Sequence, residues 1–285
     1  MQAAADAARA AGRRLVLVPT MGALHDGHLA LVSDARTRGD HVTVSVFVNP
    51  TQFGPGEDFD AYPRTLDADL TALDAGGGVD AVFAPTASEM YPFGLPPKTA
   101  ISVADLGRHL CGPHRPGHFE GVATVVAKLF LACRPHAAVF GEKDAQQLAV
   151  LRRMTAELGF GIEVIGHPIV READGLALSS RNRYLTAEER VQAASLHRAL
   201  VAAEAAVAGG ERSGPALEAL LRREVEAAPL ARVQYAQVVD ADTLQPAERL
   251  GRGGPSGGRY LAALAVFFGE TRLIDNTTLR VGDER

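Results

Sequence analysis

The sequence predicts an α/β protein with a parallel β-sheet in its N-terminal part and a smaller α+β domain after it. Two observations support this fold class. Up to about residue 170, short apolar runs of strand length alternate with longer stretches whose apolar residues have helical spacing. Beyond that point, two helical stretches are followed by two strand-like runs. We therefore expect a first domain over residues 1–169 and a second domain over residues 170–285.

The first domain is expected to contain five strands separated by helices. The expected strands are 14–18, 41–48, 79–83, 137–140 and 162–165, and the expected helices are 25–38, 66–73, 121–133 and 145–158. The run HVTVSVFV at 41–48 is rich in β-branched residues, which is typical of a buried strand. Strands that alternate with helices imply crossover connections in a parallel, Rossmann-like sheet. Ligands of such sheets bind at the carboxyl ends of the strands.

The second domain is expected to begin with helices and end with strands. Residues 186–208 have the pattern of one long helix, and Thr186 and Glu189 are spaced as a capping box at its start. A second helix is expected over 215–228, and strands over 233–239 and 260–268. The glycine-rich segment GRGGPSGG at 251–258 lacks the Gly-Lys-Ser/Thr ending of a phosphate-binding loop. We interpret this segment as a flexible connection between the two strands.

Composition excludes several classes of partner. The chain has 285 residues, 47% of them hydrophobic, and a formal net charge of −5. This charge argues against a general nucleic-acid or membrane binder, because both partners attract basic proteins. The longest apolar run, 260–268, is too short to span a membrane, and the N-terminus lacks the apolar core of a secretory signal. Cys111 and Cys133 have no CxxC partner, so we expect ordinary thiols in a reducing cytoplasm.

The first group of residues with chemical potential is His25-Asp26-Gly27-His28, between the first strand of the sheet and the helix that follows it. The first turn of a helix attracts anions through its unpaired N–H groups and its positive dipole end. Two imidazoles three residues apart share one helical face and are able to donate hydrogen bonds to phosphate oxygens. Gly27 lets a nucleotide approach the backbone closely. Two solvent-facing histidines are the alternative, and a zinc site is weaker because no third ligand is evident.

Two further groups lie at a strand end and in the segment between the domains. Gly141-Glu142-Lys143-Asp144 follows the strand that ends at residue 140, and its lysine is a compact positive charge for a phosphate. The segment 178–182, Leu-Ser-Ser-Arg-Asn, offers two hydroxyls and one guanidinium, which suits a triphosphate. Taken alone, the first group is also compatible with a solvated charge cluster and the second with a plain turn between domains.

Five segments together resemble the pantoate–β-alanine ligase family. They are PTMGALHDGH (19–28), NPTQF (49–53), RPGHFEGV (115–122), FGEKDAQQ (140–147) and VREADGLALSSRNRYL (170–185). That family belongs to the nucleotidylyltransferase superfamily, which shares its fold with class I aminoacyl-tRNA synthetases, and the two histidines correspond to its HIGH motif. The resemblance implies a carbon–nitrogen ligase of class 6. It would join pantoate and β-alanine with ATP and Mg²⁺ through a pantoyl adenylate, releasing pyrophosphate and AMP.

The resemblance also implies a role for each matching residue. His28 is expected to donate a proton, with His25 and Lys143 as the other catalytic residues that contact phosphates. ATP is expected to contact Met21, Gly22, Ala23, Leu24, His25, Asp26, Gly27, His28, Gly141, Glu142, Lys143, Asp144, Val170, Leu178, Ser179, Ser180 and Arg181. Pantoate is expected to contact Gln52, Gln147 and Asn49, with Arg115 and His118 on a mobile segment of the active site. The protein ligands of Mg²⁺ stay unknown, and Asp69 is a weak candidate. A homodimer in the cytoplasm is expected.

Two positions depart from the family pattern, which usually has methionine at both Thr51 and Leu178. Leucine conserves the volume of methionine, so little change is expected there. Thr51 is smaller and polar, and is expected to loosen the apolar side of the pantoate pocket. Two rival functions remain open. One is a nucleotidyltransferase of the same fold that acts on a phosphorylated substrate, and the other is a nucleotide sensor without catalytic activity.

Overall fold

The computed structural model describes residues 1–282 and contains two compact units. The first unit consists of residues 1–107, 114–142 and 147–170, and the second consists of 108–113, 143–146 and the chain from 171 onward. The expected domain boundary at residue 170 stays a prediction, and the last three residues of the expected second domain lie outside the described residues. Among the described helices, none combines the length and the apolar character needed to cross a membrane.

The secondary structure consists of nine α-helices and eight strands within residues 1–282. The helices are α1 (Gln2–Ala10), α2 (Asp26–Arg38), α3 (Leu66–Ala75), α4 (Ala87–Met90), α5 (His118–Cys133), α6 (Ala145–Glu157), α7 (Ala187–Ala193), α8 (Ser195–Ala208) and α9 (Gly214–Glu226). The strands are β1 (Leu15–Thr20), β2 (His41–Val46), β3 (Ala81–Phe83), β4 (Ala137–Gly141), β5 (Glu163–His167), β6 (Ala231–Asp240), β7 (Arg259–Phe268) and β8 (Thr271–Arg280).

The first unit contains a five-stranded sheet in the order β3-β2-β1-β4-β5, in which all paired strands are parallel. This confirms the predicted Rossmann-like sheet and all five of its strands, with shifts of at most two residues at their ends. Val16 of β1 pairs with Val42 on one side and Ala137 on the other. Their side chains are buried because helices cover both faces of such a sheet. The strand order reverses between β1 and β4, which is where α/β sheets bind ligands.

The second unit contains an antiparallel three-stranded sheet in the order β6-β7-β8. Strand β7 is central and almost wholly buried, since β6 and β8 pair along its full length. Helices α8 and α9 bury their apolar stripes, Leu196 and Leu200 on α8 and Leu217 and Leu221 on α9, in the same core as β7. This arrangement confirms the expected smaller α+β part.

Four elements differ from the sequence-based expectation, one of them the short helix α4, which was not predicted. Helix α1 was not predicted, although alanine is the strongest helix former, and it packs Ala5 into the first unit. Strand β8 was not predicted because the buried polar pair Asp275 and Asn276 interrupts its apolar alternation. The long helix expected over 186–208 is wrong, since the chain forms α7 and α8 with a break at Ala194. The capping box of Thr186 and Glu189 at the start of α7 is confirmed.

The glycine-rich segment 251–258 connects β6 and β7 and is anchored by buried polar groups. Asp240 at the end of β6 accepts hydrogen bonds from the backbone N–H and the hydroxyl of Ser256, at 3.2 and 2.6 Å. The Tyr260 hydroxyl on β7 donates to the carbonyl of Gly251 and accepts from its N–H. The segment therefore has fixed attachment points at its start and near its end, which the expectation of a flexible connection did not include.

Candidate active site

The loop that follows β1 is held in its shape by a buried aspartate. Gly22 and Ala23 both have left-handed backbone angles, with φ values of 79° and 51°. This turn directs the N–H groups of Ala23 and Leu24 at the two carboxylate oxygens of Asp69, at 3.1 and 2.8 Å. A Cβ atom on Gly22 would lie 2.8 Å from the same carboxylate, so only glycine fits this contact. Asp69 comes from α3 and is 2% exposed.

His25 and His28 form a reciprocal cap at the N-terminus of α2. The His25 Nδ1 atom accepts from the N–H of Gly27 at 3.2 Å, and the His28 Nδ1 atom accepts from the N–H of His25 at 3.4 Å. The two rings lie 4.1 Å apart between centroids. An imidazole that accepts at Nδ1 is neutral and has its proton on Nε2. The cap therefore leaves each ring with Nε2–H as its donor, at the helix end that attracts anions.

A second polar group follows β2, the strand beside β1. Asn49 is 1% exposed, and its Nδ2 group donates to the Gln52 Oε1 atom at 3.0 Å and to the Gly121 carbonyl at 3.2 Å. The Gln52 Nε2 group lies 3.1 Å from the Met21 Sδ atom, which places it against the loop after β1. Gln52, which is expected to contact pantoate, and Met21, which is expected to contact ATP, therefore meet at the carboxyl edge of β1 and β2.

The hydroxyl of Thr51 is part of this polar group. It lies 2.9 Å from the Asn49 Oδ1 atom and 3.2 Å from the hydroxyl of Tyr91, and the Tyr91 hydroxyl lies 2.7 Å from the same Asn49 oxygen. Burial raises the pKa of Tyr91, so its hydroxyl keeps its proton and donates. Thr51 therefore has less apolar volume than the methionine usual in the family, as the sequence indicated, and it also makes specific polar contacts.

Arg115 and His118, at the start of α5, form a cluster with Glu57. The Arg115 guanidinium donates to both Glu57 carboxylate oxygens, at 2.7 and 2.6 Å. His118 Nδ1 lies 2.8 Å from the Gln52 carbonyl oxygen. Burial alone would raise the pKa of Glu57, but the hydrogen bonds and charge of Arg115 outweigh it and hold the pKa below its ordinary value. The cluster therefore holds Gln52 through its carbonyl oxygen, whereas Asn49 contacts its side chain.

The residues after β4 are divided between the two units. Gly141 is the last residue of β4 and Glu142 follows it, both in the first unit. Gly166 on β5 leaves space for the Glu142 side chain, because a Cβ atom at this glycine would lie 2.9 Å from the Glu142 carboxylate. Gln147, in the first turn of α6, is half-buried in the first unit, and Val170 is the last residue of that unit. Lys143 belongs to the second unit, where its carbonyl oxygen accepts from the Asn276 side chain at 2.8 Å. The side chain of Asp144 is exposed.

The Leu-Ser-Ser-Arg-Asn segment lies in the second unit, where Ser180–Tyr184 form a short 3-10 helix. Ser179 begins it by accepting a hydrogen bond from the Arg181 N–H at 3.3 Å. The Asn182 side chain donates to Glu172 at 3.0 Å, and Arg190 of α7 donates to the other Glu172 oxygen at 2.6 Å. Leu178, Ser179, Ser180 and Arg181 are half-buried. An anchor of three charged or amide side chains thus fixes the segment at its C-terminal end.

The described residues contain no group of three or more His, Cys, Asp or Glu side chains placed to hold a metal ion. Asp69 does not fit as a magnesium ligand, because its two oxygens accept from the N–H groups of Ala23 and Leu24 and Thr65 lies 3.4 Å from one of them. Magnesium bound with a nucleotide takes most of its ligands from phosphates and water. Asp69 is therefore a residue that shapes the loop after β1.

Comparison with known proteins connects these arrangements to one family. The family described as pantoate-beta-alanine ligase matches residues 1–278. Pantothenate synthetase from Salinibacter ruber is 58% identical over 99% of this chain and 95% of its own length. The chain belongs to the pantoate–β-alanine ligase family. It is therefore a carbon–nitrogen ligase that forms pantothenate from pantoate and β-alanine.

Solved structures of pantoate–β-alanine ligases have the same fold. Pantothenate synthetase from Thermus thermophilus superposes with a TM-score of 0.87 at 47% identity, over 98% of each chain. Pantoate-beta-alanine ligase from Francisella tularensis, complexed with Beta-gamma ATP and Beta-alanine, gives a TM-score of 0.73 at 32% identity, over 93% of this chain and 90% of its own. Membership of the pantoate–β-alanine ligase family argues against both rival functions, a nucleotide sensor without catalytic activity and a nucleotidyltransferase that acts on a phosphorylated substrate.

Four residues that position the expected site residues were not predicted in that role from the sequence. Asp69 was considered only as a metal ligand, whereas it shapes the loop after β1. Glu57, Tyr91 and Glu172 were not singled out, although each accepts from or donates to a residue near the expected substrate contacts. Glu57 and Tyr91 lie in stretches of chain without a helical or strand pattern. Their partners are 58 and 42 residues away, so no local spacing signals them.

Proposed function

We propose that this chain activates pantoate with ATP and that the pantoyl adenylate then reacts with β-alanine. In the first step a pantoate carboxylate oxygen bonds to the α-phosphorus, the bond from that phosphorus to the bridging oxygen breaks, and pyrophosphate leaves. In the second step the amine of β-alanine bonds to the acyl carbon, the bond to the AMP oxygen breaks, and the nitrogen loses a proton. Both steps depend on positioning and on stabilising negative charge.

The observation that supports the ATP site is the reciprocal cap of His25 and His28. It holds both rings as Nε2–H donors at the start of α2, where the helix dipole favours negative charge. A donor fixed before the substrate arrives requires no rearrangement when charge develops on phosphate oxygens. We propose that His28, which the family resemblance implies as a proton donor, acts through its Nε2–H as a hydrogen-bond donor to the phosphates and keeps that proton, with His25 and Lys143 as further contacts to the phosphates.

The remaining ATP contacts are proposed on family membership and on the local geometry of each unit. In the first unit they are Met21, Gly22, Ala23, Leu24, Asp26, Gly27, Gly141, Glu142 and Val170, and in the second they are Asp144, Leu178, Ser179, Ser180 and Arg181. The Francisella tularensis ligase complexed with Beta-gamma ATP and Beta-alanine supports ATP as the nucleotide. Mg²⁺ is proposed to arrive with ATP, held by phosphates and water.

Pantoate is proposed to bind beside the loop after β1. Gln52 and Gln147 are the proposed contacts, because the hydroxyls and carboxylate of pantoate need polar partners. Asn49, Arg115 and His118 surround Gln52, and their polar atoms contact the Gln52 side chain or carbonyl oxygen. We therefore propose that these three residues act on pantoate mainly by fixing Gln52. A homodimer in the cytoplasm is the proposed setting of the reaction.

One assay tests the proposed order of steps. Purified enzyme with ATP and Mg²⁺ is expected to release pyrophosphate only when pantoate is added. AMP and pantothenate are expected to accumulate only after β-alanine is added as well. Omission of pantoate while β-alanine is present is the control. Pyrophosphate release without pantoate, or ADP as the nucleotide product, would contradict the proposal.

A further inference from the structure

Asn49 is placed so that only one orientation of its side-chain amide satisfies its neighbours. The Thr51 N–H, which donates only, lies 3.3 Å from the Asn49 Oδ1 atom. The Gly121 carbonyl, which accepts only, lies 3.2 Å from the Asn49 Nδ2 atom. A flipped amide would place oxygen against oxygen and N–H against N–H in a site that is 1% exposed. Two backbone groups of fixed polarity therefore determine the orientation of Asn49.

The hydroxyls of Thr51 and Tyr91 strengthen the same orientation. Both lie within 2.9 Å of the Asn49 oxygen. Tyr91 is itself fixed by packing, since it is 5% exposed and its ring lies 6.4 Å from the Phe47 ring and 5.7 Å from the Lys128 ammonium. A rigid aromatic side chain with a buried hydroxyl is a precise anchor for a neighbouring amide, because few rotamers compete with the bound one.

Close backbone contact completes the arrangement. Helix α5 approaches the 3-10 turn Pro50–Gln52 so closely that a Cβ atom on Gly121 would lie 2.2 Å from the Thr51 carbonyl oxygen. Only glycine permits this approach, and the approach brings the Gly121 carbonyl to the Asn49 amide. The turn Pro50–Gln52 is thus held by the side chain of Asn49 and by the backbone of α5 at Gly121.

The orientation of Asn49 determines what Gln52 offers to a substrate. The Gln52 Oε1 atom accepts from Asn49 at 3.0 Å, so the Gln52 Nε2 group faces the Met21 Sδ atom. Thioether sulfur is a weak acceptor. A carboxylate or hydroxyl oxygen at this place would therefore form a much better hydrogen bond to Nε2 than sulfur does.

We propose that Tyr91 and Thr51 are positioning residues for pantoate, because their hydroxyls hold Asn49 in the orientation that makes Gln52 a hydrogen-bond donor to a substrate oxygen. This inference rests on the proposed pantoate site. It assigns a function to a threonine that stands where the family usually has methionine. In this chain two hydroxyls, those of Thr51 and Tyr91, contact the Asn49 oxygen. A methionine at position 51 has no hydroxyl and could not make the first of these contacts.

The test compares Thr51→Val, Thr51→Ser and Tyr91→Phe in the pantoate-dependent release of pyrophosphate. Thr51→Val and Tyr91→Phe are each expected to raise the pantoate KM about 3–10-fold, the effect of losing one hydrogen bond. The ATP KM is expected to change less than about twofold, since neither residue supports the nucleotide site. Thr51→Ser keeps the hydroxyl and is expected to retain the wild-type pantoate KM.

The double variant Thr51→Val with Tyr91→Phe tests whether the two hydroxyls act through Asn49. If both act on one amide, the combined effect on the pantoate KM differs from the product of the single effects. Tyr260→Phe is the matched control, because it removes the hydroxyl of another buried tyrosine that bonds to Gly251 in the second unit. Its pantoate KM is expected to equal that of the wild type.

Gln52→Glu tests the polarity of the donor directly. Glutamate has nearly the shape of glutamine but presents only acceptors when ionised, so it is expected to impair pantoate use more than Gln52→Ala does. Heat stability of the wild type and of Thr51→Val, measured with and without pantoate alone, reads binding without catalysis. Smaller stabilisation of Thr51→Val by pantoate is the expected result.

The outcomes distinguish the two proposals. A wild type that binds pantoate but releases no pyrophosphate contradicts the proposed adenylate reaction, while the binding measurements still test Thr51. An unchanged pantoate KM and unchanged stabilisation in folded Thr51→Val would overturn the inference, as would equal increases of the pantoate KM and the ATP KM. Better pantoate use by Gln52→Glu than by Gln52→Ala would show that Gln52 accepts from the substrate.

Discussion

The two histidines at the start of α2 combine a structural and a chemical function in the same ring. Each Nδ1 atom accepts a backbone N–H of the first helical turn, so the ring orientation is set before any ligand arrives. The Nε2–H of each ring is the proposed donor to a phosphate. His25 at the N-cap and His28 three residues later thus stand where a capping box usually has Ser or Thr and then Glu or Gln. An ionised glutamate at the second of these positions would present only acceptors to a phosphate, whereas an imidazole offers an N–H donor.

We expect His28→Ala to slow adenylate formation by at least about 100-fold, the scale for removing one preorganised donor. Lys143→Ala is expected to have an effect of similar size, because it removes a compact charge for a phosphate. Single-turnover measurement of pyrophosphate release tests both, with Lys98→Ala, an exposed lysine, as the control for charge. A correctly folded His28→Ala or Lys143→Ala with most of the wild-type rate would disprove its assignment.

Two milder variants separate the cap from the chemistry at His28. Asparagine places a polar atom where histidine has Nδ1, and glutamine places an amide nitrogen where histidine has Nε2. His28→Asn is expected to keep the wild-type stability, because it keeps the cap, but to form the adenylate as slowly as His28→Ala does. His28→Gln is expected to recover part of the wild-type rate of adenylate formation, because it restores an N–H donor near the Nε2 position.

Asp69, a weak magnesium-ligand candidate in the sequence, binds two backbone N–H groups of the loop after β1 in the structure. We expect Asp69→Asn to raise the ATP KM, because an amide satisfies one of the two buried N–H groups and leaves the other without an acceptor, at about 1–3 kcal/mol. The apparent affinity for Mg²⁺ at saturating ATP is expected to stay unchanged. The prediction is tested by measuring the rate of Asp69→Asn and of the wild type while ATP is varied at saturating Mg²⁺, and then while Mg²⁺ is varied at saturating ATP. A selective loss of Mg²⁺ affinity would instead support the metal-ligand role that the carboxylate geometry argues against.

At the scale of elements, the sequence predicts what depends on apolar pattern and misses what depends on buried polar groups. All five strands of the parallel sheet were predicted, because each is a short apolar run between helical stretches. Strand β8 was missed because Asp275 and Asn276 are polar residues that are both buried. The structure shows their purpose: Asp275 binds the Arg171 guanidinium through two hydrogen bonds, and Asn276 binds the carbonyl of Lys143. Asp275 and Asn276 thus interrupt the apolar alternation of β8 and at the same time bind Arg171 and the backbone of Lys143.

The break between α7 and α8 had no signal that the sequence could provide. Neither glycine nor proline occurs in residues 187–208, and the apolar spacing continues across Ala194.

The candidate site also contains contacts that no local sequence pattern indicates. Its motifs were recognisable because they are contiguous, whereas Asp69 lies 46 and 45 residues from the backbone groups it binds. Such a contact becomes visible only when the sheet brings the loops after its strands together.

The anchor of the Leu-Ser-Ser-Arg-Asn segment leads to a prediction for Glu172. We expect Glu172→Gln to raise the ATP KM about fivefold, because Gln presents one acceptor where Asn182 and Arg190 require two. Asp174 keeps Arg190 in place through a second ion pair, so the fold should persist. Glu188→Gln, the same change at an exposed position of α7, is the control. Equal ATP KM values for the wild type and Glu172→Gln would show that the anchor does not affect the nucleotide.

The anchored segment 251–258 leads to a prediction about pH. Burial alone would raise the pKa of Asp240, but hydrogen bonds from Ser256 and from the backbone of Thr243 and Asp242 outweigh it and lower the pKa. The ionised carboxylate therefore stabilises the fold above the unfolded pKa of about 3.9, and this contribution disappears as the pH falls through the lower folded pKa.

We expect Asp240→Asn to lower the free energy of unfolding at pH 7 by about 1–3 kcal/mol, since an amide N–H would face a buried donor. Urea unfolding at several pH values tests this, and the difference from the wild type is expected to shrink below about pH 4. Asp242→Asn, which removes one partner of an exposed ion pair with Arg259, is the control. An equal difference at pH 7 and at pH 3 would contradict the role of the ionised carboxylate.

At the scale of the whole molecule, two units with separate cores carry different parts of the proposed chemistry. The first unit holds the histidine cap and the Gln52 network, and the second holds Lys143 and the Leu-Ser-Ser-Arg-Asn segment. The polar groups of each unit are fixed within that unit, by Asp69 and Asn49 in the first and by Glu172 and Asn276 in the second. Each half is therefore organised by its own buried polar contacts before a substrate binds.

The proposed reaction makes a prediction about atoms that applies to the intact enzyme. If a pantoate carboxylate oxygen attacks the α-phosphorus, that oxygen stays on AMP when β-alanine displaces it. Attack on the γ-phosphorus would instead give ADP and place the oxygen on phosphate. The sequence has the paired histidines and the Ser-Ser-Arg segment of adenylyl transfer, and it lacks the Gly-x-x-x-x-Gly-Lys-Ser/Thr loop of P-loop enzymes. The adenylate route is therefore the expected one.

Pantoate labelled with oxygen-18 in its carboxylate is expected to give AMP with one heavy oxygen and pantothenate with the other, read by mass spectrometry. β-Alanine labelled in its carboxylate is the matched control, and its AMP is expected to carry no label, because that carboxylate takes no part in either bond exchange. His28→Ala should form labelled AMP more slowly and with the same labelling pattern, since the proposed hydrogen-bond donor affects the rate and not the bond that breaks. Unlabelled AMP from labelled pantoate would mean that water or another oxygen attacks the phosphorus, and the adenylate mechanism would not apply to this enzyme.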